Sequence, residues 1–211
     1  MKLFFIFVII AHGISVSANP KIYLVRHAEV DLNKPGWGTS KKSEEYKAVY
    51  NRTGVKEFNP NKILQKIENH KNIDTVFCSP QLRALKTAEI LFGNRVVFKI
   101  DSVITELDYP VAQVPVLQLP VKGWLFLSRV TWMWEINRGN KTSYRERLDE
   151  LNLFSNDLEE FAKRNDQAVV IAHGMVNREL IKILTERGWN YCKNGKDGLG
   201  NLSVNCLEYQ N

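Results

Sequence analysis

KIYLVRHAEVDLN, residues 21–33, begins as a buried strand: Ile22, Leu24 and Val25 surround Tyr23, residue types that suit a pleated surface. The run stops at Arg26 and His27, two polar heads that a sheet interior does not accept without partners. AVVIAH, residues 168–173, repeats the pattern, an apolar strand closed by a histidine. In open parallel sheets, ligands gather at the carboxyl ends of strands, where loops and helix N-termini meet. His27 and His173 are therefore expected to face one another across one pocket.

Outward from these two strands, strand and helix patterns alternate. PNKILQKIENH, residues 60–70, predicts a helix with Asn59 as cap and Ile63, Leu64 and Ile67 on one face. IDTVFC reads as a strand, and Ser79-Pro80 opens a helix with Leu82, Leu85, Ala88 and Leu91 at helical spacing until Gly93. VVFKI, residues 96–100, is a third strand. Ser143 and Glu146 form a capping box before a long helix, and Gly174 turns AVVIAH into a helix ending at Gly188. LSVNCLE is the last strand. The expected fold class is α/β: a three-layer α/β/α sandwich on a mainly parallel sheet. Residues 34–59 read as a surface loop, and residues 101–139, rich in proline and aromatics, give no clear period.

The N-terminus differs in kind. Lys2, the apolar run LFFIFVIIA and the small residues Val16 and Ala18 fit a secretory signal peptide over residues 1–18. The expectation is an exported chain, periplasmic or secreted, whose single domain spans residues 19–211. At 44% hydrophobic and 25% charged residues the composition is that of a globular domain, which excludes a disordered chain. Of 29 basic residues 28 remain after loss of Lys2, against 23 acidic ones, a net charge near +5. That excess suits anionic partners, but it is dispersed and gives no nucleic-acid signature. Export permits a Cys192–Cys206 disulfide, with Cys78 packed in TVFC as a thiol.

The polar residues at the strand ends suggest a chemistry. SPQLRALKTA places Arg83 in the first turn of a helix, where free N–H groups, the dipole and a guanidinium favour an anion. Arg26 supplies a second fork, and Glu106 in ITELDY follows the VVFKI strand. Two histidines, two arginines and one carboxylate make a phosphoryl-transfer site. A neutral imidazole attacks phosphorus, the cations hold the equatorial oxygens, and a carboxyl group protonates the leaving oxygen. Such a site needs no metal and no cofactor.

LVRHAEVDLN resembles the LxRHGxxxxN signature of the histidine phosphatase superfamily, the phosphoglycerate mutase-like group. SPQLRALKTA is similar to its SxxxRAxxTA motif, and VIAHGMVNREL to its closing HG segment. HG in place of HD points to branch 1. The resemblance implies a phosphomonoesterase with His27 as the phosphorylated nucleophile and Arg26, Arg83 and His173 in the phosphate pocket. It makes Glu106 the proton donor, with Asp108 as the nearby alternative, and lets Asn33 shape the pocket. A phosphomutase, or a phosphate-binding module without catalysis, are the other readings of the same residues. Ala28 stands where the signature has glycine, and residues 34–59 and 111–140 depart from the family pattern where substrates are selected. The substrate is thus a small or macromolecular phosphate ester. KGWLFLSRVTWMW, residues 122–134, offers either a pocket wall, with Lys122 or Arg129 holding a second anion, or a lid that packs Trp124, Trp132 and Trp134 on the sheet. Its Trp and Lys residues also suit contact with a membrane surface.

Overall fold

The computed structural model describes residues 19–114, 116–137 and 139–210, so the segment read as a signal peptide lies outside the described residues. In chain order come β1 (Lys21–Arg26), β2 (Trp37–Gly38), α1 (Ser40–Arg52), α2 (Pro60–Leu64), β3 (Thr75–Cys78), α3 (Leu82–Phe92) and β4 (Val97–Ile100). There follow β5 (Leu119–Pro120), α4 (Val121–Met133), α5 (Tyr144–Asn165), β6 (Gln167–Ala172), α6 (Gly174–Glu186), β7 (Trp189–Tyr191) and β8 (Val204–Tyr209). The main sheet runs β4-β3-β6-β1-β8-β7. Its β4, β3, β6 and β1 are parallel, β8 runs antiparallel beside β1, and β7, antiparallel to β8, closes that side in the direction of the other four.

Period-two alternation assigns the faces. Ile22, Leu24, Phe77 and Val170 pack with residues of α5 and α6 on one side. Tyr23, Val25, Val76, Cys78, Val169 and Ile171 pack with α2 and α3 on the other. Both faces of β1 and β6 are covered, which is why these strands read as continuous apolar runs. The result is the three-layer α/β/α sandwich the sequence predicts.

Local signals hold where the side chains can act alone. Ser143 Oγ accepts from Glu146 N–H, and Glu146 reaches back to Ser143 N–H, closing the capping box of α5. Asn59 Oδ1 caps α2 through Asn61 N–H. That helix stops at Leu64 instead of reaching residue 70, although Ile67 still enters the core at 1% exposure. Residues 40–52, expected as loop, form α1.

In α4, Trp124 and Trp132 are fully buried, with their indole N–H groups donated to the Gly38 and Thr142 carbonyls. Those two tryptophans are core anchors, while Trp134 is exposed. The pairing of β2 with β5 ties the segments that lead into α1 and α4. Cys192 and Cys206 form a disulfide across 5.4 Å between Cα atoms. Cys78 is free and buried, and burial pushes its thiol up to about 12. Among the described residues, no helix is long and apolar enough to cross a membrane.

Candidate active site

The β1–β6 register pairs Arg26 with Ala172, so the next residue of each strand, His27 and His173, emerges at the same edge. His27 N–H donates to the Ala172 carbonyl at 3.0 Å, and the imidazole centroids stand 5.1 Å apart. On the other flank of β6 lies β3, whose end delivers Ser79 and then α3 with Arg83. Three adjacent strand ends thus bring His27, His173 and Arg83 together, as the sequence predicts.

Hydrogen bonds fix the chemistry of His27. Its Nδ1 lies 2.7 Å from the Ala28 carbonyl, which can only accept, so Nδ1 carries the proton. The lone pair is then on Nε2, where Arg83 Nε–H donates to it at 3.2 Å. The rest of the Arg83 fork is held by Asn51 Oδ1 at 3.0 Å and Gln81 Oε1 at 2.5 Å, and Tyr50 lies 5.0 Å beneath it. His173 Nε2 meets Ser79 Oγ at 2.8 Å. Thr87 Oγ1 accepts from Ala28 N–H and so pins the turn after β1 to α3.

Arg26 is placed by the C-terminal loop. Its Nη1 donates to the Leu199 carbonyl, its backbone N–H to Ser203, and Asn201 Nδ2 donates to the His27 carbonyl at 3.0 Å. The Cys192–Cys206 disulfide closes the base of this loop. Gly174 leaves room for the guanidinium: a Cβ there would stand 3.3 Å from Arg26 Cζ and Nε. Arg26 Nε and His173 Nδ1 are buried and have no protein partner. Unpaired buried polar atoms cost about 1–3 kcal/mol each, a cost that the oxygens of a bound anion can relieve.

Burial and the adjacent Arg83 guanidinium hold His27 down at about 3, and the same two causes hold His173 well below the ordinary histidine range. Both imidazoles are therefore neutral near pH 7. The sign for stability follows: below about 6.5 the unfolded chain takes up protons that these folded histidines refuse, so stability falls as pH drops through that range. From pH 7 to 5 each histidine should remove up to ~2 kcal/mol of unfolding free energy. Urea unfolding at the two pH values, in buffer without phosphate, measures this; an unchanged midpoint would contradict it.

Above these groups is a cleft of about 290 Å3 that Arg26, Arg83 and Glu106 line, with α1 and α4 as walls. His27 and His173, at 1% and 0% exposure, lie beneath this lining and are not part of it. Arg83, which lines the cleft, is the residue that occupies Nε2 of His27. Glu106 and Asp108 both border the cleft. Asp108 is committed to Lys47 and Lys141, each at 2.5 Å; burial pushes its carboxyl up, but the two ammonium groups outweigh this and hold it below the ordinary range. Asn33 is exposed and does not line the cleft. Lys122 and Arg129 line it, whereas the tryptophans of α4 do not. Sequence reasoning missed Asn51, Gln81, Ser79 and Asn201. Gln81 and Ser79 lie inside SPQLRALKTA, but nothing in their spacing marks them.

Comparison with known proteins bears on the family and the fold. The description "Histidine phosphatase superfamily (branch 1)" matches residues 22–211. No curated protein sequence matches the chain significantly. The fold is similar to that of a Mycobacterium tuberculosis open reading frame product, with TM-score 0.57, 15% identity, and coverage of 91% of this chain and 92% of that one. It is also similar to phosphoserine phosphatase from Entamoeba histolytica, solved with 3-phosphoglyceric acid, at TM-score 0.51, 16% identity and coverage of 88% and 89%. A mycobacterial glucosyl-3-phosphoglycerate phosphatase, solved with inorganic phosphate, gives TM-score 0.52, 12% identity and coverage of 91% and 97%. At such identities these structures speak for the fold, while the match over nearly the whole described chain places this protein in branch 1 of the histidine phosphatase superfamily.

Proposed function

We propose that the chain is an exported, metal-independent phosphomonoesterase that works through a phosphohistidine on His27. The observation that carries this reading is the convergence of His27 Nε2, Arg83, Arg26 and His173 at the ends of β1 and β6 and the start of α3. His27 Nε2 attacks phosphorus as the bond to the ester oxygen breaks, and Glu106 passes a proton to that oxygen. Water then attacks the phosphohistidine, gives its proton to Glu106, and returns the N–P electron pair to Nε2. The guanidinium groups of Arg26 and Arg83 face the equatorial oxygens and supply the charge that a metal supplies elsewhere. Export is supported by the N-terminal pattern and by the Cys192–Cys206 disulfide, a bond that persists in oxidising compartments.

Phosphate release from a panel of phosphomonoesters, with a chelator present, tests the reaction and its metal independence. Activity that returns only on adding a divalent cation would contradict the reading, and isomerisation without release would make the enzyme a mutase. The proton donor has its own test. Glu106→Gln should cut kcat/KM for an alkyl phosphate by roughly 10²- to 10⁴-fold and for p-nitrophenyl phosphate far less, since that leaving group needs no proton. Asp108→Asn should spare this difference between esters. The opposite pattern would transfer the role to Asp108.

A further inference from the structure

We infer that Asn201 is a positioning residue for the nucleophile: its side chain holds the His27–Ala28 peptide unit and, through it, the aim of the His27 imidazole. This rests on the phosphatase reading and adds a residue of the C-terminal loop on which the attacking step depends. Two contacts on one peptide unit lead to it. The His27 carbonyl accepts from Asn201 Nδ2–H at 3.0 Å, and the Ala28 N–H of the same unit donates to Thr87 Oγ1 at 2.9 Å. A peptide unit is planar, so bonds at its two ends, one from the C-terminal loop and one from α3, fix its tilt. That tilt sets where the next carbonyl, that of Ala28, is presented. The Ala28 carbonyl takes the Nδ1 proton of His27 at 2.7 Å, and this bond directs Nε2 towards Arg83. The other donor to the His27 carbonyl among the described residues is Leu202 N–H, at 3.4 Å and shared with the Arg26 carbonyl at 3.2 Å. It is a weak substitute for the amide of Asn201.

The loop that carries Asn201 is braced from several sides. It runs between β7 and β8, and the Cys192–Cys206 disulfide closes its base. Asn205, 1% exposed, accepts from Asp197 N–H at 3.1 Å and donates to the Gly198 carbonyl at 2.7 Å. Asp197 accepts from Val204 N–H at 2.9 Å and pairs with Lys66. Ser203 N–H donates to the Gly200 carbonyl, and Leu202 sits at a φ of 61°, a left-handed conformation that a residue with a side chain keeps only where its surroundings impose it. At this turn Leu202 N–H and the Ser203 carbonyl bond to the backbone of Arg26, and the Asn201 side chain reaches one residue further, to His27. Asn201 is itself exposed, so its amide serves this bond and not the packing of a core.

The test measures three quantities in the wild type, Asn201→Ala and Asn201→Asp: kcat/KM for p-nitrophenyl phosphate, the Kd for inorganic phosphate, and the NMR resonance of the His27 Nδ1 proton. Position 201 is exposed, so neither change puts folding at risk. Asn201→Ala should lower kcat/KM roughly 10-fold, the effect of a misaligned nucleophile, while the Kd changes by less than about 3-fold. The Nδ1 proton, held downfield by its 2.7 Å bond, should move upfield as the Ala28 carbonyl shifts. Asn201→Asp keeps the size of the side chain but sets an acceptor against the His27 carbonyl, so its kcat/KM should fall at least as far. Retained activity in Asn201→Asp would mean that shape and not the hydrogen bond is at work, and would overturn the inference. A rate within about 2-fold of wild type in Asn201→Ala would overturn it too. So would a loss of rate with the His27 proton unmoved, or with the Kd raised in step, since either marks a merely structural role. A wild type that releases no phosphate would instead remove the phosphatase reading, and this inference with it.

Discussion

His27→Ala should lower phosphate release by roughly 10⁴-fold or more, while the protein still binds inorganic phosphate. The size follows from the absence of a substitute nucleophile. His173 is the other imidazole at the site, but its Nε2 is engaged with Ser79 Oγ, and its ring centre is 5.1 Å from that of His27. In the proposed reaction the charges that hold an anion are on Arg26 and Arg83, which the substitution leaves in place. Binding of phosphate by calorimetry should therefore change by less than about 10-fold, against the far larger loss in rate. A binding module would show near-background release in both proteins. A residual rate within about 10-fold of wild type would mean that another group attacks phosphorus.

Arg83→Ala should cost roughly 10²- to 10³-fold in kcat/KM, about 3–4 kcal/mol of transition-state stabilisation. Arg83 does two things at once. In the proposed reaction it offers a fork to the phosphate, and it helps to hold the His27 imidazole neutral, second only to burial as a cause. Without it His27 should titrate at higher pH, so the acid limb of the pH–rate profile should move up from the neighbourhood of 3 towards neutrality. Arg83→Lys should restore part of the charge effect on that limb but little of the rate, because an ammonium cannot present two parallel N–H groups. Removal also leaves Asn51 and Gln81 without their shared partner, so the melting temperature should fall in both variants. An unshifted acid limb in Arg83→Ala would separate Arg83 from the nucleophile.

The parts of this site that the sequence displays are those set by backbone periodicity. β1 and β6 are apolar because both their faces are covered, and each ends in a histidine at one register position, so His27 and His173 could be paired before any coordinates. Arg83 is legible because it falls in the first turn of a helix directly after a strand. What stayed hidden is tertiary. Helix α1 buries only Ser40 and Ser43, so no apolar stripe marks it, yet it delivers Tyr46, Lys47, Tyr50 and Asn51 to the cleft. Helix α4 is apolar towards the core through Trp124 and Trp132 and also towards the cleft through Leu125 and Phe126, which erases its period. β2, β5 and β7 are too short to leave a signal. Asn201 reaches His27 across 174 residues of chain, by way of a disulfide-closed loop that no local rule predicts. Asn33 fails for the converse reason: a motif position implied a pocket role, and its exposed side chain does not line the cleft.

The central claim is covalent: the phosphoryl group passes through Nε2 of His27. Rapid acid-free quenching of the protein turning over a ³²P-labelled ester, followed by peptide mapping, tests it most directly. The account predicts label on the peptide that contains His27, stable in base and lost in acid, and no label in His27→Ala. Label on a carboxylate, lost in base, or turnover with no labelled protein at any quench time, would contradict it.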